Sequence, residues 1–102
     1  MKSFGEIIRT ERENKGLILR KVASALDIDQ AIVSKFERGE RKPSKEQVEK
    51  FAAFYNIDKN ELITSWLSDQ IANSILFEEN ITEILKVAEE KVTYLKTIQD
   101  GR

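Results

Sequence analysis

The sequence predicts an all-α protein: a five-helix unit over residues 1–67, then a C-terminal helical arm over residues 68–102. Three observations carry this. Apolar residues recur at steps of three and four along most of the chain, the period of one helix face. Ser or Asp followed three residues later by Glu or Gln, the signature of a helix start, opens three of the segments. One proline and four glycines in 102 residues leave too few turns for an all-β fold.

Ser3 with Glu6 forms the first capping signal, and Phe4, Ile7 and Ile8 set the apolar face of a helix that runs to Lys15, with Gly16 as its stop. Leu19, Val22, Ala23 and Leu26 make a second face, with the small Ala23 at its centre to admit a neighbouring helix. Asp27-Ile28-Asp29 breaks the pattern. Asp29 suits the N-cap of a third helix from Gln30 to Arg38, whose Ile32, Val33 and Phe36 turn inward, and Ile28 can anchor the turn. Gly39 ends that helix, and the basic loop Glu40-Arg41-Lys42-Pro43 follows. Ser44 with Gln47 caps a fourth helix over Val48, Phe51, Ala52, Phe54 and Tyr55, for which Asn56 is the expected C-cap. Asp58 with Glu61 starts the fifth, through Leu62, Ile63, Trp66 and Leu67.

Beyond residue 67 the helical face continues through Ile71, Ile75 and Leu76 and is interrupted between Phe77 and Asn80. From there Ile81, Leu85, Ala88, Val92 and Leu95 fall at steps of 4, 3, 4 and 3, a heptad seam. Two heptads are too short for a stable isolated coiled coil, so the seam needs something to pack against. It either folds back on its own domain or pairs with a second chain. The five-helix unit is already closed by its fifth helix, which favours a dimerisation arm.

Composition removes several functions. There is no Cys and no His, which excludes disulfides, thiolate zinc sites, Ser-His-Asp triads and Cys nucleophiles. The adjacent acids Glu78-Glu79 lack any partner chemistry for acid–base work, so no enzyme activity, metal or cofactor is expected. No signal-type apolar region or membrane span is visible, and a cytoplasmic location is expected. The net charge of −1 conceals an asymmetry: residues 1–50 carry twelve Lys/Arg against nine Asp/Glu, residues 51–102 five against nine. Five basic residues lie between Lys35 and Lys45, a local patch sufficient to hold phosphate. The acidic half should face away from such a ligand or bind a partner.

Two short helices joined by a tight turn, the second with an outward polar face, then a basic loop: this order suits a helix laid in the major groove of double-stranded DNA. The outward positions are Gln30, Ala31, Ser34 and Lys35. Gln can pair with adenine N7 and N6, Ala can meet a thymine methyl, Lys can reach guanine, and Ser suits several edges. Arg38, Arg41, Lys42 and Lys45 follow, placed for backbone phosphates, and the fourth helix offers N-terminal amides at Ser44. An ordinary solvated helix face is the alternative for these residues taken singly.

The stretch Leu19-Arg20-Lys21-Val22-Ala23, then Ile28, Ser34, Phe36-Glu37-Arg38-Gly39, Arg41 and Pro43-Ser44 resembles the Xre-type helix-turn-helix family, which includes the Cro and phage repressors. The resemblance covers about residues 4–67. It implies a five-helix, lambda-repressor-like DNA-binding domain acting as a dimer on a pseudo-palindromic operator, in a bacterial or phage nucleoid setting. It also implies that Gln30, Ala31, Ser34 and Lys35 lie on the reading face and that Arg12 and Glu37 form a buried ion pair between helices 1 and 3. Two departures matter. Many members start helix 2 with Thr/Ser-Gln, the Gln touching phosphate; here the pair is Ile18-Leu19, and Arg20 is the expected substitute. The turn usually holds Gly where this chain has Asp27. The expected function is transcription regulation, chiefly repression, with a restriction–modification controller as a narrower version. The rivals are an antitoxin whose acidic arm binds a toxin, and a DNA-free adaptor.

Overall fold

In the computed structural model, which describes residues 1–100, Ser3 opens the first helix as its sequence requires. Its hydroxyl accepts from the Glu6 amide while the Glu6 carboxylate accepts from the Ser3 amide. Six helices follow one another among the described residues, with no strand: α1 (Phe4–Asn14), α2 (Leu19–Leu26), α3 (Gln30–Glu37), α4 (Lys45–Tyr55), α5 (Lys59–Ile75) and α6 (Ile81–Asp100). None of them is long and apolar enough to cross a membrane. The chain divides into two compact units, the first spanning Met1–Ile71 and the second beginning at Ala72.

In the first unit the helix ends are set by local chemistry. Gly16 and Gly39 take the left-handed conformation that lets the chain leave α1 and α3 at no steric cost. Asp27 and Asn56 adopt the same conformation, both at φ 55°, as the C-caps of α2 and α4. Asp and Asn tolerate it better than other residues carrying a Cβ, because their short polar side chains can bond locally. The Ile28 amide then reaches back to the Ala23 carbonyl at 3.0 Å, which closes the turn and turns Ile28 onto the core. Asp29 caps α3 by accepting from the amides of Ala31 (2.8 Å) and Ile32 (3.3 Å).

Phe51 is the hub of the core. Phe4 and Phe36 meet it edge-on, at 5.9 and 6.2 Å between centroids, and Tyr55 stacks on it. Ile8, Val22, Val33, Val48 and Leu62, one from each of α1 to α5, are buried around it together with Ala23, Leu26 and Ala52. Burying such side chains is worth roughly 1.5–3 kcal/mol each. Between α1 and α3 the backbones come unusually close: a Cβ on Gly5 would lie 2.6 Å from the carbonyl oxygens of both Phe36 and Glu37. Only glycine permits that approach, which fixes how deeply the backbone of α3 seats.

The fifth helix does not end near Leu67. It continues without a break to Ile75. The segment Ser68-Asp69-Gln70 is polar yet helix-compatible, and Asp69 is tied down: its carboxylate accepts from the Phe4 amide at 2.7 Å, a negative group on the open start of α1. In the second unit, α6 is 20 residues long and has no buried residue. Ile81, Leu85, Ala88, Val92 and Leu95 all lie exposed on it, and Leu76 and Phe77, in the link before it, are exposed as well.

Candidate nucleic-acid interface

The arrangement starts from how α3 is held. The Arg12 guanidinium of α1 grips the Glu37 carboxylate of α3 with two bonds, Nε to Oε2 at 2.8 Å and Nη2 to Oε1 at 3.0 Å. Its remaining Nη1 donates to the Leu17 carbonyl at 3.0 Å, in the loop before α2. The side chains retain 15% and 4% of their exposure, so the pair is withdrawn from water, and Glu37 is the one buried charged residue of the described core. The carboxylate raises the Arg12 pKa above its ordinary value. One guanidinium thus fixes α1, α3 and the approach to α2. Planar bidentate recognition of this kind carries geometric precision as well as energy.

Opposite that anchor, α3 turns Gln30, Ala31 and Lys35 outward, all exposed, with Ser34 half-exposed among them. Gln30, Ala31 and Ser34 line an open groove together with Leu19 from α2 and the capping Asp29. Arg20 is exposed in the first turn of α2. The N-cap of that helix, Ile18, makes no side-chain cap bond, and only the Lys21 and Val22 amides turn back to its carbonyl. Arg41, Lys42 and Lys45 are exposed and enter no ion pair among the described residues.

Two expected phosphate contacts look different in three dimensions. Arg38, the C-cap of α3, is engaged: its Nε and Nη2 donate to the Glu40 carboxylate at 2.6 and 3.3 Å, and its Nη1 donates to Ser34 Oγ at 2.6 Å. The pairing raises the Arg38 pKa and lowers that of Glu40. The N-terminus of α4 offers fewer open amides than its sequence suggests. A full capping box consumes the Gln47 amide on Ser44 Oγ and the Ser44 amide on the Gln47 side chain. Sequence reasoning also missed Glu40 as the partner of Arg38, and Leu19 and Asp29 as groove walls. The Arg-Gly-Glu order at the end of α3 was the available signal for the first of these.

Among the described residues no group of His, Cys, Asp or Glu is placed to hold a metal ion. The interface is a rigidly mounted helix with a mixed polar face beside three uncommitted cations.

Comparison with known proteins agrees with this geometry. A model of the helix-turn-helix family matches residues 8–62. A chain of the solved SinR protein/SinI protein complex shares the fold, with a TM-score of 0.54 and 20% identity, over 95% of this chain and 98% of that one. No curated protein matches the sequence. With more than half its length matched and α2 and α3 in the required arrangement, the chain belongs to the helix-turn-helix family of Xre/Cro type, a family of DNA-binding transcription regulators.

Proposed function

We propose that this regulator is a sequence-specific repressor that binds a pseudo-palindromic operator as a homodimer. The observation that carries the reading is the exposed face of Gln30, Ala31, Ser34 and Lys35 on a helix locked from behind by the Arg12–Glu37 pair. A reading helix must not yield when it is pressed into the major groove, and a double-bonded buried pair resists that motion. Arg41, Lys42, Lys45 and Arg20 supply the phosphate contacts that set register without reading sequence.

Homodimer formation rests on the seam of α6. Its apolar residues are exposed, and a two-fold pairing through them would present two reading helices to half-sites one DNA turn apart. The second reading is an arm that binds a different protein, as an antitoxin does. It is favoured by the acidic balance of residues 51–102 and by the SinR protein having been solved in complex with the SinI protein.

The test is selection of bound duplexes from a random library at physiological salt. An enriched inverted repeat supports a dimeric repressor, and salt-sensitive binding without any motif speaks against it. At the residue level, Gln30→Ala should cost about 1–3 kcal/mol and relax preference at one operator position. Lys42→Ala should weaken all duplexes alike and flatten the salt slope by about one unit. Wild-type behaviour of both variants would show that the assigned face is wrong.

A further inference from the structure

We propose that Arg38 is a positioning residue for base readout rather than a phosphate clamp: Glu40 holds it, and it fixes the Ser34 hydroxyl so that Ser34 presents a hydrogen-bond donor to the DNA. The inference rests on the DNA-binding reading of α3 and deepens it.

A guanidinium has five N–H donors and no acceptor, so in the Arg38–Ser34 contact the serine oxygen accepts. The three linked bonds engage all three nitrogens of Arg38: one edge, Nε and Nη2, is spent on Glu40, and the remaining nitrogen reaches Ser34 Oγ at 2.6 Å. Glu40 is itself fixed at its root, since its amide donates to the Lys35 carbonyl at 2.9 Å across the Gly39 turn. The carboxylate therefore does not have to be recruited from a floppy segment; the turn that ends α3 delivers it.

The consequence falls on Ser34. A helical serine commonly turns its hydroxyl proton back to the carbonyl four residues earlier. Here no such bond to Gln30 forms among the described residues, and the hydroxyl's one bond is the one it accepts from a cation. A cationic donor on the oxygen polarises the O–H and makes it a better donor outward. Ser34 lines the same groove as Gln30 and Ala31. With one of the oxygen's two lone pairs taken by a cation, the outward O–H favours an acceptor edge (a purine N7, guanine O6 or thymine O4) over the amino group of cytosine. A residue type that suits several edges when free is biased toward one class by its neighbour.

The experiment measures binding of full-length wild type, Ser34→Ala, Arg38→Ala, Arg38→Lys, Glu40→Gln and the Ser34→Ala/Arg38→Ala double variant. Each is titrated against the selected duplex and its single-base substitutions over a range of salt concentrations. These side chains are exposed or half-exposed, so folding is not at stake. Arg38→Ala should lose discrimination by roughly tenfold at the same base pair as Ser34→Ala, with the salt slope unchanged. The double variant should be no worse than either single one. Glu40→Gln should relax that position too, and Arg38→Lys should fail to restore it, because an ammonium lacks the planar fork. A phosphate role overturns the proposal and has a separate signature. Arg38→Ala would then weaken every duplex equally and lower the salt slope by about one, while Glu40→Gln would tighten every duplex. Failure of the wild type to select any motif would overturn the DNA-reading assignment itself and this inference with it.

Discussion

Residues 1–71 and helix α6 use their apolar side chains in opposite ways. In the first, five helices converge on Phe51 and leave their largest hydrophobic groups dry. In the second, 20 residues of regular helix carry a heptad seam and bury none of it. The first region satisfies most of its own hydrophobic demand, leaving Ile18, Leu67 and Ile71 exposed. An isolated helix with two heptads of exposed seam is marginal in water, so its stability has to come from contacts with another surface. Charge divides elsewhere, with the basic surplus in residues 1–50 and the acidic one in residues 51–102. The exposed face of α3 and the seam of α6 therefore belong to different units of the chain, and each can be substituted without altering the other.

The largest effect belongs to the anchor of the first region. Arg12→Ala strands the Glu37 carboxylate in the interior and should cost about 3–5 kcal/mol in urea unfolding, the usual penalty for orphaning a buried charge. A loss under 1 kcal/mol would mean that water reaches Glu37 freely. Next comes Gly5→Ala. Alanine is the better helix former by about 1 kcal/mol, yet its methyl group would overlap two carbonyl oxygens of α3. The net result should be destabilisation of about 1–3 kcal/mol together with weaker operator binding as α3 is displaced. Unaltered affinity in that variant would detach the seating of α3 from DNA reading.

Tyr55 gives a subtler handle. Burial, with Glu37 nearby, pushes its pKa up to about 12 from the ordinary value near 10. The folded state therefore holds the phenol proton more tightly than the unfolded state does. Stability from this group is intact below pH 10 and is lost as the pH rises toward 12, a decline on the order of 2 kcal/mol. The Tyr55 hydroxyl has no protein partner among the described residues, so Tyr55→Phe should unfold at nearly the wild-type denaturant midpoint at neutral pH and should flatten the alkaline limb. A wild-type limb of unchanged steepness in that variant would locate the titration elsewhere.

The smallest expected effect on the first region sharpens the comparison most. Leu85→Asp with Val92→Asp should leave unfolding of residues 1–71 within about 0.5 kcal/mol, as exposed substitutions do, while light scattering reports a monomer. An unchanged mass would remove α6 from the dimer interface.

Much of the fold was legible because short-range chemistry writes it. Ser3 with Glu6 and Ser44 with Gln47 announced two helix starts that form complete capping boxes, and Asp29 capped α3 as its position required. Asp27 took the left-handed turn that a glycine fills in many relatives, and Arg12 met Glu37 across 25 residues because the motif carried both positions. The features that escaped depend on contacts with no sequence period. Nothing near residue 67 marks a helix stop, and the bond that steadies α5 comes from an amide 65 residues away. A glycine inside α1 looks like a weakness until the carbonyls of α3 are seen beside it. The side-chain face of α3 could be named from spacing, but the engagement of Arg38 by Glu40 depends on the path of the Gly39 turn, which spacing does not describe.

The bond from the Phe4 amide to Asp69 has one more implication. It brings the beginning and the end of the first region within a single hydrogen bond of each other. A module whose ends meet can be spliced into a loop of a host protein without long connectors, and its chain can be reopened elsewhere after the old ends are joined. The first unit is in that sense portable: it has the head-to-tail closure that grafting requires.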